Sequence, residues 1–304
     1  MARTNTLPSF PAVPAPRAVL ELLKPITWFA PMWAFMCGVV SSGVPLGQHG
    51  LVLLGGILLA GPLICATSQA VNDWFDRHVD AINEPNRPIP SGRIPGRWGL
   101  SIALLWTLIS LLFSTLFGVW VFWASALGLI LSWAYSAPPL RLKQSGVWGP
   151  AAVAISYEGI TWFAGAAVMS GALPDARILA LALLYAIGAY GIMTLNDFKA
   201  VDGDSQMGIR SLPVVLGVEN AAAIACAVML LPQILVVFEL LGWGRPVFAA
   251  IVAASVLAQG VLMVRLLRDP RKFAPWYNAT GTSLYVLGML VAAFAVRPLI
   301  GVPL

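Results

Sequence analysis

The sequence predicts an all-α, polytopic integral membrane protein of about nine transmembrane helices, built as two parallel pseudo-repeats that each carry a cytoplasmic aspartate-rich motif. Three observations lead there. Of the 304 residues, 59% are hydrophobic and only 10% charged, and the mean hydropathy is +0.83, a composition suited to a bilayer and not to a water-soluble core. Apolar runs recur near residues 26–44, 51–71, 99–117, 119–136, 150–170, 177–195, 220–240, 246–266 and 280–299, each close to the roughly 20 residues a spanning helix needs. Finally, among the 18 Lys and Arg only Arg177, Arg245 and Arg297 fall in the segments that alternation makes external. That bias puts the N-terminus inside and the C-terminus outside.

The elements follow in order. Residues 1–25, rich in Pro and Ala as far as Pro16, carry no cleavable leader pattern and read as a short cytoplasmic tail. Residues 26–304 read as one transmembrane domain, with repeat halves of roughly 26–148 and 149–304. The second run delivers Asn72–Asp80, NDWFDRHVD, to the edge of the hydrocarbon. The fourth closes with a turn, YSAPPLRLK, that runs from Tyr135 to Lys143 and presents Arg141 and Lys143 on the same side. A lone acid, Glu158, falls inside the fifth run, where an ionisable group is expensive and marks a functional hypothesis. The sixth run ends at Asn196–Asp204, NDFKAVDGD, and three more spans complete the chain. Trp98, Trp120 and Trp243 sit where an aromatic belt would lie, whereas Trp106, Trp133 and Trp162 are deeper, free to stack on a flat ring or to shield a carbocation.

The two acidic motifs carry the chemistry. On a helix, Asp73, Asp76 and Asp80 fall at i, i+3 and i+7, so they are expected on one face, with Asn72 one turn before Asp76. A solvated helix end would be the ordinary reading of one such stretch. The second copy argues against it: Asn72 aligns with Asn196, Asp73 with Asp197 and Asp80 with Asp204, while Asp76 faces Ala200, and an arginine follows each copy, Arg87 and Arg210. Two acidic clusters meeting in one cavity require cations between them, and hard oxygen ligands favour Mg²⁺ or Ca²⁺. A diphosphate bridging the metals, with arginines on its far oxygens, completes the arrangement. The motifs lie 124 residues and four helices apart, so the repeat is parallel. An inverted repeat meeting at the midplane would instead suit a transporter.

Composition also excludes. The net charge of +5 resides in short loops where membrane topology explains it, so no nucleic acid is expected. Cys37, Cys65 and Cys226 lie within apolar runs and form neither a disulfide framework nor a zinc site. Only two histidines exist, and neither falls in an apolar run.

With both motifs and the spans in hand, the chain resembles the UbiA superfamily of intramembrane prenyltransferases. The runs NDWFDRHVDAINEPNRPIPSGRIPGRWGL, YSAPPLRLKQSGVWGP and NDFKAVDGDSQMGIRSLPVVLGVENA are most similar to the chlorophyll and bacteriochlorophyll synthase branch, and among its members to the bacterial ones. That resemblance implies Mg²⁺ as cofactor and a C20 prenyl diphosphate, geranylgeranyl or phytyl, joined to chlorophyllide or bacteriochlorophyllide. It implies Mg²⁺ and diphosphate ligands at Asn72, Asp73, Asp76, Asp80, Asn196, Asp197 and Asp204, with Asp202 where relatives often carry Glu. Asp73, Asp76, Asp197 and Asp204 would carry catalysis; Arg87, Arg141, Lys143, Lys199 and Arg210 would hold the diphosphate; Glu158 and Tyr135 would stand near the acceptor. It implies a bacterial inner membrane with the active-site loops cytoplasmic, and pigment-assembly proteins as partners. Prenylation of a phenolic or quinone precursor shares the metal chemistry and differs in the acceptor. A CDP-alcohol phosphotransferase would need a DGxxARxxN-type run that is absent, and a lipid or ion transporter would make no product.

Overall fold

Apolar runs of this length leave the backbone one solution in a bilayer, since every N–H and C=O must be satisfied within the segment. The computed structural model describes residues 13–300, and nearly all of them are helical. In chain order the helices are α1 (Pro16–Leu23), α2 (Phe29–Ser41), α3 (Gly50–Asn83), α4 (Trp98–Phe117), α5 (Val119–Ser136), α6 (Trp148–Ser170), α7 (Ala176–Asn196), α8 (Val201–Gln206), α9 (Leu212–Leu216), α10 (Val218–Gly242), α11 (Pro246–Arg268) and α12 (Pro270–Val296). Among the described residues, eight helices are long and apolar enough to cross a membrane, and the pair Pro16–Thr27 and Phe29–Ser41, bent by 55°, reaches that length and composition only when its two pieces are taken together.

That bent piece departs from the sequence reading. A tail was expected as far as residue 25, yet α1 is an ordered amphipathic helix; the rest of that expectation, residues 1–12, lies outside the described residues. Its Ala18, Leu22 and Leu23 are buried in one cluster with Ala66, Ala70 and Val71 of α3 and with Ile102 and Ala103 of α4. Pro16 starts it, and Lys24, at φ 48°, ends it in the left-handed region before Pro25. The Glu21 carboxylate then accepts both Nη groups of Arg93, which clamps α1 to the loop after the first motif.

Two spans carry π-helical turns. In α3 the segment Leu59–Cys65 surrounds Pro62, whose missing N–H and ring cannot fit a regular turn. In α6 the segment Ile155–Ile160 holds Tyr157 and Glu158. The crossing of α2 and α6 is tight because both supply glycine at the contact. A Cβ on Gly38 would stand 2.0 Å from the Trp162 carbonyl oxygen, and one on Gly165 would stand 2.0 Å from that of Phe35. Deeper in the second half, α10 and α11 are joined by a reciprocal amide pair. Gln233 Nε2 donates to Gln259 Oε1 at 3.1 Å and Gln259 Nε2 returns to Gln233 Oε1 at 2.9 Å, so two buried amides satisfy one another.

These helices bring three loops to one end of the molecule. The first motif closes α3, the second follows α7, and the turn after α5 lies between them. Gly146 N donates to Arg210 O at 2.7 Å and Arg210 N to Gln144 O at 3.1 Å, so backbone pairing joins the last two. Only glycine fits there, because a Cβ on Gly146 would meet Leu212 N at 2.4 Å.

Candidate active site

A cavity of about 910 Å³ opens between the three loops. Asn72, Asp76 and Asp80 line it from α3, Asn196, Asp197, Lys199 and Asp204 from the second motif, and Tyr135, Arg141 and Lys143 from the end of α5 and its turn. The two acidic motifs therefore share one space. Five predicted site residues lie elsewhere: Asp73, Arg87, Glu158, Asp202 and Arg210 do not line it.

The geometry explains each departure. Along α3, Asp73 and Asp80 are seven residues apart and nearly eclipsed, whereas Asp76 is turned about 60° from Asp73 at 3.6 residues per turn. Different cations therefore meet the first pair and Asp76. Arg87 Nη1 lies 3.5 Å from Asp73 Oδ1 and 2.8 Å from Asp80 Oδ2, and Lys24 Nζ donates to Asp73 Oδ1 at 2.6 Å. Asp73 is only 1% exposed, and its Oδ2 finds no partner among the described residues. Asp76 instead takes Lys143 Nζ, with Arg141 Nη2 at 3.5 Å. Arg87, Arg141 and Lys143 thus hold carboxylates here, where the sequence suggested that they hold a diphosphate.

In the second motif Asp204 is buried and Asp202, two residues away on α8, points the opposite way, its side chain 80% exposed and paired with Arg271 at 3.2 Å. Arg210 is exposed, its backbone engaged with the 144–146 turn. Asp202→Asn should accordingly leave turnover within about twofold of the parent in a detergent assay, since exposed pairs of this kind contribute little. Asn72 Nδ2 donates to Ser136 Oγ at 3.3 Å, and Asn196 Oδ1 accepts from Asn278 at 2.9 Å. Asp197 makes no ion pair or side-chain hydrogen bond among the described residues. Burial pushes the Asp204 carboxyl above the usual carboxylate range. It also pulls the Lys143 ammonium below the usual lysine value, which the charge of Asp76 opposes.

Among the described residues no three acids converge on a single point. The expectation that Asp73, Asp76 and Asp80 face one cation therefore gives way to carboxylates distributed over two walls. The donor set still fits a hard cation: Asp76, Asp80, Asp197, Asp204, Asn72 and Asn196, all with side-chain oxygens, line the cavity, which among the described residues has no thiol or imidazole in its lining. Mg²⁺ commonly takes one or two carboxylates and completes its shell with water and substrate phosphate.

Below the polar chamber lies a narrow apolar pocket of about 30 Å³, walled by Phe35, Leu59, Ile64 and Ile160 and by small residues including Gly56 and Gly128. Ser68 and Tyr157 line both spaces. Glu158 is buried, 6% exposed, with Oε2 unpartnered among the described residues. One position along α6 from Tyr157, it lines neither the chamber nor the apolar pocket. Trp106, Trp133 and Trp162 also line neither space; Trp162 is fully buried against Tyr185. Sequence reasoning missed Lys24, Ser68 and Gln69. Nothing in their local pattern marks them, because their partners lie at 49 and 88 residues' separation for Lys24–Asp73 and Gln69–Tyr157.

A helical membrane protein with two aspartate motifs on one cavity is the architecture of an intramembrane prenyltransferase. The chain belongs to the UbiA prenyltransferase family, whose profile matches residues 27–284. It is 59% identical to the bacteriochlorophyll synthase 33 kDa chain of Cereibacter sphaeroides over 95% of each chain. It is 38% identical to the chloroplastic chlorophyll synthase of Arabidopsis thaliana over 91% of this chain and 73% of that one. Its fold matches a UbiA homolog from Archaeoglobus fulgidus bound to GPP and Mg²⁺, with a TM-score of 0.73 at 20% identity over 92% of this chain and 99% of that one.

Proposed function

We propose that the protein transfers a C20 prenyl group, geranylgeranyl or phytyl, from its diphosphate to the C17 propionate of bacteriochlorophyllide or chlorophyllide, releasing diphosphate. The single observation that carries this reading is the near full-length identity to bacteriochlorophyll synthase, joined to a cavity that places both acidic motifs on one chamber above an apolar pocket. The Mg²⁺ in a fold-mate's complex with GPP supports the same metal here. Asp76, Asp80, Asp197 and Asp204, with Asn72 and Asn196, would hold it; when bound, Mg²⁺ supplies positive charge against the diphosphate.

This chain's residues do the rest. Lys199 faces the cavity without an ion pair among the described residues and meets diphosphate oxygens, while Arg141 and Lys143 divide their charge between Asp76 and the substrate. The bond between C1 and the diphosphate oxygen breaks with its electron pair leaving on diphosphate, and a lone pair of the propionate carboxylate forms the new C–O bond to C1. No proton is taken up or lost. At about 30 Å³ the apolar pocket takes only the first part of a C20 tail, and the remainder extends beyond it into lipid. Its walls exclude water from the allylic centre, which would otherwise be hydrolysed.

A carboxylate acceptor is anionic at neutral pH and needs no general base, whereas a phenol benefits from one with a pKa near 7. Among the described residues no histidine lines the cavity. The expected result with purified protein, Mg²⁺ and geranylgeranyl or phytyl diphosphate is an ester from the free propionate, with nothing from its methyl ester or from 4-hydroxybenzoate. Efficient prenylation of 4-hydroxybenzoate would reassign the chain to phenolic acceptors. The same reading places the protein in a bacterial inner membrane with the cavity open to the cytoplasm.

A further inference from the structure

We infer that Tyr157, held by Gln69 and Cys65, is the hydrogen-bond donor that receives the acceptor's carboxylate and selects a free acid over an ester. The inference rests on the functional reading above and adds a residue to it. Its first support is position. A diphosphate in the polar chamber with its tail entering the apolar pocket must pass the residues that belong to both, and those are Ser68 and Tyr157. C1, the atom joining head to tail, therefore lies beside the Tyr157 hydroxyl. The nucleophile has to arrive there too.

The second support is the proton inventory of that hydroxyl. Gln69 Nε2 donates to Tyr157 Oη at 3.2 Å, and Cys65 Sγ lies 3.4 Å from the same oxygen, its single hydrogen shared between Tyr157 and the Thr27 carbonyl at 3.6 Å. A phenol oxygen has two lone pairs and one hydrogen. With Gln69 donating to one lone pair and only a weak sulfur acceptor beside it, the hydroxyl hydrogen is available to an oxygen acceptor in the cavity. Gln69 stands on α3 three residues before Asn72, so the helix ties its backbone to the first motif. Cys65 is steadied from the far side, its Sγ 3.6 Å from Thr27 Oγ1. The π-helical turn Ile155–Ile160 sets Tyr157 toward the chamber while Glu158, the neighbouring acid, is turned away.

A fixed O–H donor discriminates by chemistry. A carboxylate accepts it with a charge-assisted bond, whereas an alkyl ester accepts weakly through a neutral carbonyl. A site built around such a bond rejects the analogue that cannot make it. The donor also orients the second carboxylate oxygen, leaving the first for C1.

The test measures binding as well as turnover. Bacteriochlorophyllide and its C17 methyl ester are titrated into the detergent-solubilised protein, following pigment quenching of tryptophan emission, with no prenyl diphosphate present. The parent is expected to prefer the free acid by about tenfold, and Tyr157→Phe to bring the ratio near one. In turnover, Tyr157→Phe should raise KM for the pigment about tenfold while KM for the prenyl diphosphate stays unchanged. Gln69→Leu, which releases the hydroxyl to rotate, serves as a second variant and should weaken the preference in the same direction. If both folded variants keep the parent's acid preference, Tyr157 is not the donor. A parent protein that binds neither pigment, or that prenylates a phenol instead, overturns the functional reading, a result distinct from the first because it appears before any substitution is made.

Discussion

Asp197→Asn is expected to slow turnover by about a thousandfold or more while leaving the protein folded. The carboxylate faces the chamber without an ion pair or side-chain hydrogen bond among the described residues, so the amide costs the resting structure nothing. It also relieves repulsion from Asp204, which stands close enough for its charge to be felt, and the unfolding temperature should hold or rise slightly. During the reaction the balance reverses. Charge develops on the leaving diphosphate, and a negative ligand that helps hold divalent cations against it contributes several kcal/mol at that moment; a thousandfold corresponds to about 4 kcal/mol. The measurement is kcat at saturating substrates and Mg²⁺ beside a thermal unfolding curve in the same detergent. Near-normal turnover would remove Asp197 from the metal site. The first motif gives a graded comparison: Asp76→Ala should hurt more than Ala200→Asp, because Ala200 already occupies the matching place in the second copy.

Arg87→Met should act on stability first, lowering it by about 3–5 kcal/mol, since removing one partner from a buried ionic group strands the other. Arg87 stands between Asp73 and Asp80, and Asp73 is 1% exposed. Lys24 still meets one oxygen of Asp73, but Asp80 is left without its partner. Against a total stability of about 5–15 kcal/mol that is a large fraction. Arg87→Lys should recover only part, as a single ammonium can replace Nη1 between Asp73 and Asp80 but loses the Nη2 contact to Glu84. Thermal inactivation of the detergent-solubilised protein reads the effect. An arginine whose sole task is the diphosphate would give a raised KM for prenyl diphosphate and an unchanged unfolding temperature, and that outcome would refute the clamp.

Much of the site was readable along the chain because its residues are local in sequence. Asn72, Asp76 and Asp80 share one helix end, Asn196, Asp197 and Asp204 another, and their repetition marked them as a pair before any folding was known. What could not be read is which side chain faces which neighbour. Asp73 and Asp76 look equivalent in the motif, yet a 60° rotation on α3 gives one to Lys24 and Arg87 and the other to Lys143. Asp202 and Asp204 look equivalent too, until α8 turns one outward to Arg271.

By itself the sequence determined the spanning helices, their alternation and the meeting of two acidic motifs at one end, because hydrocarbon forces helix on apolar runs and the positive-inside bias orders the loops. Only the tertiary structure decided that α1 is part of the assembly, that Glu158 turns away from the chamber, and that Tyr157 and Ser68 stand where polar and apolar spaces join. Those outcomes depend on a left-handed residue at Lys24 and the bend that follows Thr27, on π-helical turns that shift side chains off the regular period, and on contacts between residues as far apart as Gln69 and Tyr157. Hydropathy and motif spacing carry no information about any of the three.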